Sequence, residues 1–271
     1  MPTFTSSDGL KLHYYDDGST KPWQKPDTIV LLHAAMGSAQ RYFAWIPRLS
    51  AHYRVLRLDM RGHGASQVPS PDMPLSMERL VADITEMLDH AGCDSTHMAG
   101  TSAGGYIGQN IAMSRPERIK SLMLFSSTPG LRQSQWPVWL EEVAKIGLRA
   151  FLAKNMKIRL PVDQLDPKHI EWFLDEADKL DIDFGGRFVM LMSNLDWTDQ
   201  LDQIRCPTLL VRPGLMGGGI GFVEQYETMR DRIPNCQMIV YEGLPHHLTD
   251  SSPERCVDDV LAFLRWNFGA P

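Results

Sequence analysis

Short runs of apolar and β-branched residues recur along the chain, and each ends in a loop of small, polar or glycine-rich sequence. The run at residues 28–32 has no polar alternation, which is typical of a strand buried on both faces of a sheet. An earlier pair of runs flanks the tripeptide Ser-Asp-Gly at residues 7–9 and predicts a hairpin. The predicted strands are residues 4–6, 10–15, 28–32, 53–58, 96–99, 121–125, 207–212 and 237–241.

Segments with helical patterns separate most of these strands. Residues 77–91, for example, place Leu80, Ile84 and Met87 near helical spacing. Strands and helices alternate, which predicts an α/β fold with a parallel sheet and right-handed crossover connections. The predicted helices of this alternating part are residues 40–49, 77–91, 103–114, 222–232 and 253–266.

The alternation stops between Leu131 and about Asp199. Two helices are predicted there, at residues 136–155 and 167–180, the second with a start signal at Asp166-Pro167. We expect most aromatic side chains of this stretch to pack its helices on the core, and some to line a pocket for an apolar or aromatic substrate. These aromatic residues are Trp136, Trp139, Phe151, Trp172, Phe173, Phe184 and Phe188. Its basic residues are expected on a solvated helix face rather than on a substrate carboxylate, and they are Arg149, Lys154, Lys157 and Arg159.

Composition changes this picture little. The 271 residues are 43% apolar and 22% charged with a formal net charge of −6, which is ordinary for a globular protein. This charge gives no electrostatic reason to expect nucleic acid or an anionic membrane as a partner. No apolar stretch is long enough to span a bilayer, and the first residues lack the pattern of a secretory signal. We therefore expect a cytoplasmic protein.

Four cysteines are scattered along the chain, at residues 93, 206, 236 and 256, without C-x-x-C pairs. We interpret them as reduced packing residues, with neither a zinc site nor a disulfide framework. The sequence also predicts no cofactor.

The stretch that carries chemistry is Met-Ala-Gly-Thr-Ser-Ala-Gly-Gly-Tyr-Ile at residues 98–107. It contains a G-x-S-x-G pentapeptide centred on Ser102, between a predicted strand and a predicted helix. This is the nucleophile elbow arrangement, in which a sharp turn exposes a serine hydroxyl above the sheet. The glycines are needed because a Cβ at their positions would collide with the neighbouring strand and helix. The N–H of Ala103, at the helix start, would point at a developing oxyanion.

The chain resembles the α/β-hydrolase family over nearly its whole length. The resemblance depends on LLHAAMGS, RLDMRGHGAS, AGTSAGGYIG and LPHHLTDSSPE, in this order and spacing. It implies a mostly parallel eight-stranded sheet flanked by helices, with a helical cap inserted over the active site. The implied core is residues 1–130 and 200–271, and the implied cap is residues 131–199. The closest likeness within the family is to its esterase, enol-lactonase and carbon–carbon-bond hydrolase group.

The resemblance also implies the roles of site residues. Ser102 is the implied nucleophile, and a serine there excludes the family's dehalogenases and epoxide hydrolases, which attack through aspartate. His246 is the implied general base, because it lies seven residues before a helix-opening proline; that spacing selects it over His247. Ala35 is implied to supply the second oxyanion N–H, beside that of Ala103.

Other polar residues after strands have a simpler interpretation. His33 and His63 each lie in a loop just after a strand, and we expect both to shape that loop. Asp59 and Arg61 are likewise expected to form turns rather than to take part in catalysis.

The usual acid of the triad is missing. The family's two positions for it fall on Gly217 or Gly218 and on Ser126, none of which is acidic. We therefore expect a Ser–His dyad whose histidine is oriented by a neutral group, with Ser126 or a backbone carbonyl of residues 217–219 as candidates. The acids that could reach in from elsewhere are Asp196, Asp199 and Glu224.

These observations predict a serine hydrolase that cleaves an ester or lactone of a small, largely apolar or aromatic molecule through an acyl-enzyme. The same residues are compatible with carbon–carbon-bond or amide cleavage, and with a cofactor-free dioxygenase. A ligand-binding receptor with a degenerate triad is an alternative of a different class. The sequence leaves open whether the protein is a monomer or a homodimer.

Overall fold

The fold was analysed in a computed structural model, which describes residues 2–18, 23–131, 136–217 and 221–269. Its centre is an eight-stranded sheet of order β1-β2-β4-β3-β5-β6-β7-β8. The β1–β2 and β2–β4 pairs are antiparallel, and every other neighbouring pair is parallel. The strands are β1 Thr3–Thr5, β2 Lys11–Asp17, β3 Thr28–Leu32, β4 Arg54–Leu58, β5 Thr96–Thr101, β6 Ile119–Phe125, β7 Thr208–Pro213 and β8 Cys236–Tyr241.

Each strand coincides with a predicted apolar run to within about two residues, and the predicted fold class is confirmed. All five residues of β3 are buried, as expected for a central strand covered by helices on both faces. After β3 the chain adds β4 on one side of it, and then β5 and the later strands on the other side. The carboxyl ends of β3, β5 and β6 therefore lie side by side.

Helices cover both faces of the sheet, and four of them form the segment between β6 and β7. Many apolar side chains of this segment, Phe151, Phe173 and Phe184 among them, join the apolar core on one sheet face. The last helix packs on the opposite face. The helices are α1 Ile46–Leu49, α2 Met77–His90, α3 Ala103–Ser114, α4 Trp136–Ile146, α5 Leu148–Lys154, α6 Pro167–Asp178, α7 Ile182–Ser193, α8 Val223–Arg232, α9 Leu248–Ser251 and α10 Pro253–Phe268.

The predictions of helices were less accurate than the predictions of strands. The single helix predicted at residues 136–155 is divided into α4 and α5 by Gly147, whose φ of 82° lies in the left-handed region. Helix α7 was not predicted, because Gly185 and Gly186 lower the helix propensity of its first turns. Most of the helix predicted at residues 40–49 is a 3₁₀ helix at Ala39–Trp45, followed by the single turn of α1.

We call residues 136–193, which contain α4 to α7, the cap segment. The division of the chain into a core domain and a cap domain stays a prediction. Within the described ranges no helix is long and apolar enough to cross a membrane. The four cysteines, all described, are free thiols.

Helix α3 approaches β3 and β5 more closely than side chains would allow. A Cβ on Gly104 would lie 2.2 Å from the carbonyl oxygen of Leu32, and one on Gly100 would lie 2.5 Å from the backbone of Gly104. These glycines let the helix start directly above the ends of two central strands, which is where Ser102 lies.

We expect Gly104→Ala to destabilise the fold by about 3 kcal/mol or more, at or beyond the upper end of overpacking costs, because rigid backbone cannot yield to the added methyl group. Gly186→Ala is the matched control. It is a helical glycine with nothing within 4 Å of the added Cβ, so it should be neutral or stabilise by up to ~1 kcal/mol. Urea unfolding of both variants measures the difference. A similar effect of the two substitutions would contradict the close-approach argument.

Candidate active site

Ser102 lies between β5 and α3 with a strained backbone. Its φ of 50° and ψ of −113° are unusual for a residue with a side chain. Two hydrogen bonds hold this turn: the Ser102 N–H donates to the Phe125 carbonyl at 3.0 Å, and the Ser127 hydroxyl donates to the Ser102 carbonyl at 2.9 Å. The side chain of Ser102 is partly exposed. The geometry is that of a nucleophile elbow, in which the strained turn lifts the serine above the sheet.

The loop after β3 faces the start of α3. His33 anchors it, because its Nδ1 donates to the Ala34 carbonyl at 2.8 Å and its Nε2 accepts from the Met60 N–H at 3.1 Å. Its own carbonyl accepts from the Gly104 N–H at 3.2 Å. Among the described residues, neither the Ala35 N–H nor the Ala103 N–H has a hydrogen-bond acceptor. Both N–H groups are therefore available to a ligand in this region.

The other polar residues after strands shape loops, as the sequence predicts. The His63 Nδ1 donates to the Arg61 carbonyl at 3.0 Å. Asp59 accepts from the N–H groups of Ala39 and Ala65, at 2.7 and 3.1 Å. Arg61 is buried and forms ion pairs with Asp83 and Asp8, at 2.5 and 3.0 Å, none of which involves Ser102.

Ser126 follows β6, directly beside the elbow. It also has a left-handed backbone, with a φ of 51°, and its N–H donates to the Val211 carbonyl at 3.0 Å. The residue is 1% exposed, yet its hydroxyl has no hydrogen-bond partner among the described residues. A buried hydroxyl without a partner is costly, so that a polar group entering the site would find a ready donor or acceptor there.

The loop after β8 carries both adjacent histidines, and the cap segment holds its backbone. The N–H groups of His246 and His247 donate to the carbonyls of Ile158 and Arg159, at 3.4 and 2.9 Å. Three residues further on, Thr249 meets the end of β5, where the Thr101 hydroxyl donates to its hydroxyl at 3.2 Å. The loop is thus fixed between the cap segment and the elbow strand.

Burial lowers the pKa of both histidines. The pKa of His246 lies well below the usual value of 6.5, because burial disfavours its charged form and because an imidazolium there would be repelled by a protonated His247 and by Arg159. The pKa of His247 is also lowered by burial, against the opposing charge of Asp250. Both imidazoles are therefore neutral at pH 7, which is the form that can accept a proton.

Asp250 is the buried carboxylate that the sequence analysis missed. Its side chain lies 3.2 Å from Nη1 of Arg41, and its Oδ2 lies 3.5 Å from Nδ1 of His247, which is longer than a normal hydrogen bond. Burial opposes its ionisation, but the charge of Arg41 and the interaction with His247 outweigh this effect and hold the pKa of Asp250 below its usual value. Its place three residues after His247, on one turn of backbone, was the signal in the sequence.

Asp196, Asp199 and Glu224, the three acids named from the sequence, have other surroundings than the two histidines. The Asp196 carboxylate accepts from the Thr198 N–H at 3.0 Å, which fits the predicted role of closing the return from the cap segment. The Asp199 side chain is fully exposed and contacts Arg232. Asp196 and Glu224 line a separate cavity of about 430 Å³, whose lining includes neither Ser102 nor His246. At the family's usual acid position, Gly217 is exposed and Gly218 lies outside the described residues.

Most basic residues of the cap segment are solvated, as expected. Arg149 is paired with Glu171 and Asp175 at the surface, and Lys154 with Glu142. The Trp136 side chain lies outside the described part. The expectation of a solvated face is wrong for Arg159, which is only 2% exposed. It directly follows a short 3₁₀ helix, Met156–Ile158, and its guanidinium lies 5.6 and 5.9 Å from the ring centres of Trp139 and Phe151, which cover it.

Comparison with known proteins identifies the family. The model of the alpha/beta hydrolase fold family matches residues 27–228. The match covers most of the chain, and the topology and the elbow agree with it. The chain therefore belongs to the α/β hydrolase family.

Three distant proteins are similar to this chain over nearly its full length. A non-heme chloroperoxidase of Streptomyces lividans is 27% identical over 98% of this chain and 100% of its own. The crystal structure of a hydrolase from Pseudomonas aeruginosa PA01 is 26% identical, with a TM-score of 0.85 and 97% coverage of both chains. An enol-lactonase from Burkholderia xenovorans LB400 is similar in fold, with a TM-score of 0.88, 20% identity, and coverage of 97% of this chain and 99% of its own.

We expect Asp250→Asn to destabilise the protein by ~3–5 kcal/mol, since it leaves the buried Arg41 guanidinium without its counter-charge. Asp199→Asn is the matched control, because its carboxylate is fully exposed and should change stability by less than ~0.5 kcal/mol. Chemical denaturation at pH 7 measures both. Equal, small effects would mean that the Arg41–Asp250 pair does not support the loop.

Proposed function

We propose that this α/β hydrolase is a serine hydrolase that cleaves an ester or lactone through an acyl-enzyme. The observation that carries the proposal is the strained backbone of Ser102, a non-glycine residue at φ 50° between a strand and a helix. Such strain costs on the order of 1–3 kcal/mol and is retained at sites where it has a purpose. In this proposal the strained turn presents the Ser102 hydroxyl above the sheet, where the N–H groups of Ala35 and Ala103 would receive the oxyanion.

In the proposed reaction, the Ser102 hydroxyl oxygen attacks the carbonyl carbon of the substrate while His246 accepts the hydroxyl proton. The carbonyl oxygen becomes an oxyanion, which the N–H groups of Ala35 and Ala103 stabilise. The intermediate collapses and breaks the bond to the alcohol, which leaves with the proton from His246. Water then attacks the acyl-enzyme in the same way and releases the acid and Ser102.

The state of His246 supports its role as the base. Its lowered pKa keeps the imidazole neutral at pH 7 and below. The position of its loop, fixed to Thr101 of the elbow strand through Thr249, supports an approach to Ser102.

We infer that a neutral group orients His246, and that Ser126 is this group. Its buried hydroxyl without a partner lies at the strand end next to the elbow, and could accept the imidazole N–H and hold the tautomer that a base needs. A hydroxyl cannot fully stabilise the imidazolium. Replacing the aspartate of a Ser-His-Asp triad by a neutral amide costs about 10⁴ in rate, or about 5.5 kcal/mol. We therefore expect moderate turnover.

The proposed substrate is small and largely apolar or aromatic. The cap segment supplies Phe173, whose ring lies 4.9 Å from that of His247. Phe184 and Phe188 instead pack against His63, with ring centres 5.7 and 4.9 Å from that of the histidine. The fold of an enol-lactonase is among the most similar structures, which supports a lactone as one form of the substrate.

Ser102→Ala should reduce turnover of short methyl and p-nitrophenyl esters by at least about 10³, the scale of deleting a triad nucleophile. A serine-trapping organophosphate should label Ser102 in the wild-type protein, which mass spectrometry of the digest detects. The alanine variant, checked for folding by circular dichroism, should stay unlabelled. Retained turnover in this variant would exclude the acyl-enzyme mechanism.

His246→Ala should approach the defect of Ser102→Ala, because no other group would accept the hydroxyl proton. His247→Ala should cost about tenfold or less, below the ~10² expected of a general base. Steady-state kcat for both variants tests the ranking. Since Asp250 contacts His247 and not His246, the opposite ranking would identify His247 as the base, with Asp250 as its acid.

A further inference from the structure

A small cavity lies between the loop after β3, the cap segment and the loop after β8. Its volume is about 10 Å³, which is room for roughly one water molecule. Ala35, whose N–H we assign to the oxyanion hole, forms one side of it, and His247 forms another. The cavity therefore adjoins the proposed reaction centre. Two arginines, Arg41 and Arg159, line the same cavity.

Arg41 is held in place from several sides. Its guanidinium contacts Asp250 at 3.2 Å and the carbonyls of Met36 and Phe173 at 3.4 and 3.2 Å, and it lies 3.6 Å above the centre of the Phe173 ring. It is 6% exposed, and its Nε has no hydrogen-bond partner among the described residues. A rigid, buried guanidinium with a donor to spare is suited to binding an anion, because little side-chain entropy remains to be lost.

Arg159 brings a second positive charge to the same cavity. Its pKa is lowered to about 10, by burial and then by the charge of Arg41, so that it remains protonated at neutral pH. The two guanidinium groups repel each other at a desolvated position. An anion placed between them would relieve this repulsion and would form charge-assisted hydrogen bonds with both.

We propose that Arg41 and Arg159 bind a carboxylate of the substrate, which makes the substrate an ester or lactone that carries a second, free carboxylate. This inference rests on the proposed function, because it concerns the molecule that Ser102 would attack. One carboxylate oxygen has about the volume of the water that the cavity admits. The closeness of the cavity to Ala35 requires that only a few bonds separate this carboxylate from the reacting carbonyl group. The remainder of the substrate stays apolar.

The first experiment compares esters that differ in this charge. The wild-type protein is assayed by pH-stat on the monomethyl esters of succinic, glutaric and adipic acid, each against the uncharged methyl ester of similar length. We expect at least one charged ester to be preferred in kcat/KM by about tenfold to a hundredfold, the range of charge-assisted hydrogen bonds. No preference in any pair would overturn the proposal.

Arginine variants then test which residues cause the preference. Arg159→Gln should lower the charged-to-neutral ratio of kcat/KM at least tenfold, mainly through KM, and Arg159→Lys should retain part of it. Arg149→Gln is the matched control, because Arg149 lies on the same cap segment but is exposed and paired at the surface. An equal fall of the ratio in Arg149→Gln and Arg159→Gln would indicate a general effect of charge and overturn the site.

Binding without turnover distinguishes this inference from the proposed function. Glutarate should inhibit hydrolysis of methyl pentanoate competitively in the wild-type protein, at least tenfold more weakly in Arg159→Gln, and to an intermediate degree in Arg159→Lys. If Ser102 is labelled by the organophosphate and neutral esters are hydrolysed, but glutarate does not inhibit, only the carboxylate site is wrong. If Ser102 is neither labelled nor needed for turnover, the proposed function fails and this inference fails with it.

Discussion

The close approach of one helix to two strands is the constraint on which the site depends. Gly104 lets the backbone of α3 contact the Leu32 carbonyl, and Gly100 lets β5 pass beneath the first turn of the helix. The chain must then reverse direction within one residue, and that residue is Ser102. Its strained conformation is maintained because the sheet and the Ser127 hydroxyl bind the backbone on both sides of the turn. If Ser102 is the nucleophile, as we propose, this turn holds it in position before substrate binds.

The loop with His246 and His247 is also held by contacts with distant backbone, and here the cap segment supplies them. The backbone of Arg159 binds the N–H of His247, while the side chain of Arg159 lines the cavity beside it. One stretch of the cap segment therefore positions the histidine loop and brings a positive charge to it. The charge of Arg159 also contributes to lowering the pKa of His246, so this stretch affects both the position and the protonation of the histidine loop.

The buried carboxylate of the site serves the loop and not the proposed base. Asp250 neutralises Arg41, and its contact with His247 is long. Without Asp250 the interior would contain two guanidinium groups and no negative charge from this loop, an arrangement whose desolvation is costly.

The sequence alone determined the fold and the elbow. Strands such as β3 can be predicted from sequence because burial on both faces requires an unbroken apolar run. The role of Ser102 can be predicted because the glycines that permit its turn lie within two residues of it. Tertiary structure decided the rest of the site. Whether Arg159 is solvated or buried depends on the distant segments that cover it, and whether Asp250 meets Arg41, 209 residues away in the chain, depends on how the loop after β8 folds back. Sequence spacing reports contacts within a turn or two of backbone, whereas desolvation and charge pairing are set by whatever the rest of the chain packs against each residue.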